Sequence, residues 1–472
     1  MRTATRTCFT LAVVALCGCT ETTTRTPTTP AARRLTPDEA KADAVGIFDP
    51  GRQPLAGGAT TIFDTSPEAF EQPAPNLTAA ELAVHEEGDE AFEEAFTPEN
   101  GLGPVFDNVS CEGCHVGDGR GRPPLPGEAF ESLLFRSSIA GRDAHGGPVG
   151  IPGFGGQLQL RAIPGVEVEL AAAVTYTEVT GSFADGSTYS LRVPRYTFTT
   201  SYEPLPSGFL FSPRAAPSVN GLGLLEAISA RDLLLRADPD DRNRDGISGR
   251  VNIAWDAVQQ RYAIGRFGWK AAVPSLSQQV AGAYNGDMGI TSPLFRAESC
   301  EGDRDVCARH AEEVSQETVD AATFYVQTLG VPARRDVNDF QVRRGEAIFF
   351  DVGCAKCHTP TFTTATLPGV PAVSNQTIHP YTDLLVHDMG SGLADNRPDF
   401  GASGREFRTA PLWGLGLIPT VNGHNNLMHD GRARGPLEAI LWHGGEGARA
   451  RENVKRLPAS QRAALVRFLN SL

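Results

Sequence analysis

The pentapeptides Cys111-Glu112-Gly113-Cys114-His115 and Cys354-Ala355-Lys356-Cys357-His358 decide the reading of this chain, the second beginning 243 positions after the first. Each is a Cys-x-x-Cys-His. In an exported protein, two thiols at this spacing followed at once by histidine are the pattern of covalent c-type haem attachment. The thiols form thioethers to the porphyrin vinyls and the histidine becomes the proximal iron ligand. Two copies therefore predict two covalently bound haems. Redox dithiols or a four-cysteine zinc site are the competing readings of Cys-x-x-Cys alone. The adjoining histidines and the export signal argue against both.

Working outward, each motif follows a helical pattern. The run from Thr78 to Phe96 is rich in Glu and Ala with helical periodicity, and GLGPVF then leads to the first motif. VRRGEAIFFDVG leads directly into the second, and the chain ends on LPASQRAALVRFLNSL with Ala464, Leu465, Phe468 and Leu469 on one face. Helical patterning also marks 223–237 and 310–329. Between about 150 and 211 the character changes to alternating, β-branched segments with Gly-containing turns, which read as strands. The stretch 330–336 looks like a junction. At 472 residues the chain is too long for one core. The expected architecture is mainly α: two cytochrome c-like haem domains, 46–335 and 336–472, with a β-rich insertion at about 150–211 in the first.

The first nineteen residues read as a targeting segment. Arg2 and Arg6 precede an apolar run, Phe9 to Leu16, that is too short to span a bilayer. Leu16-Cys17-Gly18-Cys19 resembles a bacterial lipoprotein box, with cleavage before Cys19 and lipid on its thiol; ordinary secretion with cleavage nearby is the alternative. Residues 20–45, which begin with a Thr- and Pro-rich stretch, would be a flexible tether. The expected location is the periplasmic side of a bacterial membrane, the outer one in the lipoprotein reading, held by the lipid anchor only; soluble periplasmic is the alternative. A net charge of -14 argues against nucleic acid and anionic membrane surfaces as partners. Of nine cysteines, Cys8 and Cys17 leave with the signal, Cys19 is acylated and four hold haem. Cys300 and Cys307 remain, and in an oxidising compartment they are expected to form a disulfide.

Asp241-x-Asn243-x-Asp245-Gly246-x-Ser248 places oxygen side chains at alternate positions before a glycine, like the front of an EF-hand loop, although position twelve is Asn252. Calcium is thus a candidate third cofactor, and a plain Asx-rich turn is the other reading.

Beyond the haem motifs, GLGPVF, DPDDRNRDGISG, GRFGWKA, DMGITSP, LLVHDMGSGLAD, REFRTAPLWGLG and HDGRA followed by LEAILWHGGE span nearly the whole mature chain. In these the chain resembles the bacterial di-haem cytochrome c peroxidase and MauG superfamily, closest to its di-haem oxidoreductase branch. In that family a distal Met or Tyr falls fourteen residues after the His of an H-[DS]-G motif. Here the motif is His429-Asp430-Gly431 and the fourteenth residue is His443. The resemblance therefore implies His358/His443 ligation of the second haem, with Met389 as the competing sixth ligand. For the first haem only His145 and His85 offer themselves, and both read as solvated residues, so its iron is expected to be open and reactive.

The resemblance also implies that Trp269 relays electrons between the haems and that Gln279, ten residues on, lies on the distal side of the first. Leu276 takes the intermediate position of that spacing. Asp287 of Asp-Met-Gly stands where the family has the Glu that acts as general acid and base for peroxide. It is shorter, and two residues early. A buried core role is the duller reading of Trp269. Arg408 would pair with a haem propionate, or lie in a surface ion pair. Asn220 of Pro217-Ser218-Val219-Asn220 would be a calcium ligand between the haems. The implied activity is reduction or use of hydrogen peroxide, or of dioxygen, with electrons from a small redox protein or other donor. Oxidation of a macromolecular substrate docked on the β insertion, and electron transfer without a substrate, are the alternatives.

Overall fold

Local side-chain chemistry sets the helix starts. Thr78 caps α1 (Ala79–Glu93): its hydroxyl accepts from the Glu81 amide at 3.3 Å, and the Glu81 carboxylate accepts from the Thr78 amide at 2.8 Å. This reciprocal capping box satisfies two donors that the helix itself leaves orphaned. Ser275, Ser315 and Asp339 cap α2 (Leu276–Met288), α3 (Gln316–Thr328) and α4 (Phe340–Val352) by accepting from first-turn amides. Three further helices, α5 (Pro436–Trp442), α6 (Ala448–Arg456) and α7 (Ala459–Leu469), close the chain. These features come from a computed structural model that describes residues 54–200, 202–300, 307 and 312–472. The expected signal (1–19), Cys19 and the tether (20–45) lie outside the described residues.

Each motif is backed by a helix pair crossing at a glycine. α1 crosses α3 at Gly88, where a Cβ would lie 2.2 Å from the Ala321 carbonyl oxygen. α4 crosses α7 at Gly345, where a Cβ would lie 2.0 Å from the Ala464 carbonyl oxygen. Any side chain at either glycine would push the helices apart and strip apolar surface from the contact. α4 stops at Gly353, whose φ of 97° reverses the chain straight into Cys354.

The expectation of a mainly α protein is overturned. The chain is about 30% helix and 19% strand, and its strands form many small sheets. Six of these are two-stranded and one three-stranded among the described residues. The physical reason lies in composition: 50 Gly and 34 Pro interrupt helices, so much of the chain pairs locally in short ladders and loops around the site. The stretch 223–237 shows this on a small scale. It is two helices, Leu222–Glu226 and Ala230–Arg236, with Ser229 capping the second.

Within 150–211 the dominant element is a long antiparallel hairpin, Leu170–Ser182 against Thr188–Thr200, paired from Leu170↔Thr200 to Ser182↔Thr188. Its tip reaches the C-terminal helices, with Asp185 on Arg462 at 2.9 Å and the Ala184 amide on the Lys455 carbonyl at 2.9 Å. Along its edge Glu178 pairs with Arg434 at 2.8 Å. The 330–336 stretch is also paired, since Val331–Pro332 runs parallel to Thr61–Ile62. Phe70, just beyond, packs in the core that holds Val342, Phe349 and Phe468. Cys300 and Cys307 are joined as a disulfide. No described helix is long and apolar enough to cross a membrane.

Candidate active site

Both motifs open onto one continuous cavity of about 1230 Å³, lined by Cys111, Cys114, His115, Cys354, Cys357 and His358. Small-molecule pockets are typically about 300–1,000 Å³, so this space exceeds what a single modest ligand needs. The four motif cysteines are unpaired, and burial pushes the thiols of Cys111 and Cys354 up to about 12. They are therefore neutral, side-by-side thiols in a largely apolar wall.

Three histidines in this wall share one arrangement. The Nδ1 of His115 bonds the Pro217 carbonyl at 2.7 Å, that of His358 the Tyr381 carbonyl at 2.9 Å, and that of His443 the Ala439 carbonyl at 2.7 Å. Such a bond fixes the tautomer and leaves Nε2 as the ligating nitrogen, as in metal-bound histidine generally. Burial lowers the pKa of all three, His358 to about 4, which keeps them neutral. Paired thiols, free Nε2 atoms and a large cavity are what two haems require, so the residues present fit that group.

Around the second motif, the His358 and His443 ring centres are 6.4 Å apart. Two metal–imidazole bonds of about 2 Å, plus about 1 Å from each nitrogen to its ring centre, give roughly 6 Å. The gap is thus the width of one shared metal ion. Behind His358, Tyr381 packs on Phe349 and Phe468, and its neighbour Glu346 makes a buried bidentate pair with Arg334 at 2.8 and 2.9 Å. A third histidine, His387, lies 3.7 Å from the Cys357 sulfur and bonds Glu446 at 2.7 Å and Asp383 at 2.9 Å. Burial acts to lower its pKa, but its bonds to Asp383, Cys357 and Glu446 overcome this and raise it well above the usual value.

The first motif is different. Beside the His115 ring stands Phe92, at 6.2 Å, and no histidine ring faces it among the described residues. His145 is exposed and stacks on Trp255 at 4.1 Å, outside the cavity wall. His85 also lies outside that wall, yet it is not solvated as its sequence context suggests. It is 3% exposed, with Nδ1 on the Thr328 hydroxyl at 2.8 Å and its pKa lowered to about 4 by burial. The α1–α3 contact covers it. Two acids stand near the first motif, Asp287 from α2, which acts on His115 and Cys114, and Asp107, which acts on Cys114; Gln279 of α2 lines the same cavity.

Trp269, in the same cavity wall, is buried, and its indole N–H donates to the Ala215 carbonyl at 2.9 Å. The Arg120 guanidinium lies 5.0 Å over its ring, and His429 meets it edge-on at 6.5 Å. Leu276 is fully buried in the same wall. Arg408 also lines the cavity and donates to the Gly268 and Thr409 carbonyls at 3.0 and 3.4 Å, so it is not in a surface ion pair.

The oxygen-rich loop is gathered on itself. The Asp245 amide donates to Asp241 Oδ1 and Asn243 Oδ1, each at 2.9 Å, and Lys356 Nζ sits 2.9 Å from Asp245 Oδ2. Asn220 is buried in the cavity wall.

With this geometry in view, the model of the family described as "di-haem oxidoreductase, putative peroxidase" matches residues 53–472. The chain belongs to that family. It is accordingly a di-haem oxidoreductase, and haem is its cofactor class. No curated protein and no solved structure matches it. Sequence reading passed over Asp107, Gln157, His387 and Glu446. The first could have been suspected from its place directly after GLGPVF, and His387 from its place in LLVHDMG.

Proposed function

We propose that this di-haem oxidoreductase reduces hydrogen peroxide at a haem held by Cys111, Cys114 and His115. Electrons from a small redox protein would enter through a haem held by Cys354, Cys357, His358 and His443. The observation that carries this is the asymmetry of the wall. His358 has a second imidazole facing it at one-metal distance, whereas beside the first motif stand a phenyl ring and two carboxyl groups. Haem so held would supply the one-electron iron chemistry needed to break an O–O bond. A pure electron carrier needs no open face, and that asymmetry argues against it.

The chain's own groups then divide the work. Trp269 lies in the wall common to both motifs and is proposed as the electron relay. Gln279 would orient peroxide by hydrogen bonding, and Asp287 would move its proton. Arg408 keeps a buried positive charge beside the second motif, where it would meet a propionate. We further propose attachment through thioethers, and placement on the periplasmic side of a membrane through lipid at Cys19. The basic-then-apolar start of the chain and Leu16-Cys17-Gly18-Cys19 support that placement. Calcium at 241–248 forms no part of this reading, because the loop's oxygens already serve its own amides and Lys356.

The test is turnover of hydrogen peroxide by the two-haem protein with a reduced small c-type cytochrome as donor. Stoichiometric donor oxidation is expected; a fully loaded protein that leaves peroxide untouched would refute the reading.

A further inference from the structure

Two acidic side chains from distant parts of the chain meet on one amide nitrogen beside the first motif. Gln157 Nε2 lies 2.6 Å from Asp107 Oδ2 and 2.9 Å from Asp287 Oδ1. The Gly286 carbonyl, 2.8 Å from the same nitrogen, also receives Gln159 Nε2 at 2.6 Å. The two hydrogens of the Gln157 amide thus have three acceptors within reach, the two acids and the Gly286 carbonyl. Gln157 and Asp107 are 4% and 5% exposed, and Asp107 Oδ1 has no aligned donor. Both acids line the cavity and act electrostatically on the Cys114 thiol, and Asp287 acts on His115.

The assembly is built into the backbone. The Asp107 amide donates to the Asp287 carbonyl at 2.8 Å, and the Gly103 amide to the Met288 carbonyl at 3.0 Å. A Cβ on Gly103 would lie 2.2 Å from the Gly289 oxygen, and Gly289 itself has a φ of 67°. Gly103 of GLGPVF and Gly289 of DMGITSP thus let two loops touch, and the touch aligns the acids.

Two carboxyl groups bridged by one neutral amide, Asp107 buried and Asp287 half-buried, do not readily ionise together, because each charge raises the cost of the other. Burial and the Asp287 charge push Asp107 up to about 8, which the Gln157 bond, the Leu160 amide and Arg136 only partly offset. Asp107 therefore keeps its proton at neutral pH.

We propose that Asp107 and Asp287, bridged by Gln157, form a proton-sharing pair in which Asp107 is a further catalytic residue, the proton store for peroxide bound beside the first motif. The reaction balances as hydrogen peroxide plus two protons plus two electrons giving two waters. The O–O bond breaks, the departing oxygen takes the proton held by the pair, solvent supplies the second proton, and the reduced redox protein supplies the two electrons. Solvent then reprotonates Asp107. The destination of the proton rests on the peroxide reading above; the existence of the pair does not.

Infrared difference spectroscopy of the two-haem protein in H₂O and D₂O tests the pair directly. A deuterium-sensitive band of a protonated carboxyl is expected at neutral pH. The Asp107 component should vanish as pH rises through about 8 and be missing in Asp107→Asn, whereas buried Asp118, whose pKa burial also raises, keeps its own absorption in both proteins. No such band in the native protein, or an unchanged one in Asp107→Asn, would overturn the pair. Should Asp107→Asn fail to load haem, Asp287→Asn decides. Loss of the like charge must lower the midpoint of the band, and an unmoved midpoint overturns the coupling. In the same Asp107→Asn protein kcat/KM for peroxide should fall on the order of a hundredfold, with loss of its alkaline limb. A correct infrared signature with unchanged kcat/KM would keep the pair but remove peroxide as its target.

Discussion

The two Cys-x-x-Cys-His motifs are near copies in sequence and opposites in surroundings. Both follow a helix that a second helix crosses at a glycine, and both present a histidine whose Nδ1 rests on a backbone carbonyl. Across from His358 the chain returns with another imidazole; beside the first motif it places Phe92 and two acids. In the proposed reading the motif would fix where a haem hangs, and the far wall would decide what its iron can do. One wall would complete a coordination sphere, and the other would leave space and a proton source.

The harshest way to break the comparison is to delete one side of it. Replacing Cys111 and Cys114 together by serine should reduce the haem content from two to one per chain and abolish peroxide turnover. The matching change at Cys354 and Cys357 should instead block electron entry. Haem quantitation, with turnover beside it, separates the two.

Stability offers a second asymmetry. The Arg334–Glu346 pair, 1% exposed on both sides, braces only the second site. Glu346→Gln leaves a buried guanidinium without its charge partner, and such losses cost about 3–5 kcal/mol. Thermal melting should show that drop. A surface-like change of under about 1 kcal/mol would contradict the buried placement.

A narrower probe removes the proposed relay between the sites. Trp269→Phe keeps an aromatic ring but loses the indole and its bond to Ala215. Reduction of the first site by donor should slow about tenfold or more, or about 1.4 kcal/mol of barrier, with both haems retained. Sharpening the closed side, His443→Met should raise the second haem's potential on the order of 0.1 V, within the roughly 0.8 V range axial ligands span. Spectroelectrochemistry reads that shift, and an unmoved potential would exclude His443 as ligand.

The mildest effect concerns pH. His387, bonded to Asp383, Cys357 and Glu446, has a raised pKa in the fold. Its contribution to stability is full below about pH 6.5, the unfolded value, and is lost as pH rises towards the folded one. Asp383→Asn should flatten that part of the melting-versus-pH curve, by about 1.4 kcal/mol for every tenfold loss of proton affinity at His387.

Much of this asymmetry is legible in the sequence. The motifs, the α1 and α4 patterns leading into them and the His429-to-His443 spacing are local or short-range signals. The small ladders are not, because a two-residue strand such as Thr61–Ile62 carries no periodicity, and its partner Val331–Pro332 lies far along the chain. His85 reads as exposed on helix pattern alone, since only the packing of α3 hides it. Asp107 and Gln157 are ordinary loop and strand residues until they meet Asp287, 130 positions beyond Gln157. Convergence of that kind leaves no pattern in sequence.

Low-temperature EPR of the oxidised two-haem protein tests the central claim most directly. One open and one doubly histidine-ligated iron predict a high-spin ferric signal alongside a low-spin one, the first shifting on addition of a small anionic ligand and the second not. Two low-spin signals, both indifferent to that ligand, would contradict the account.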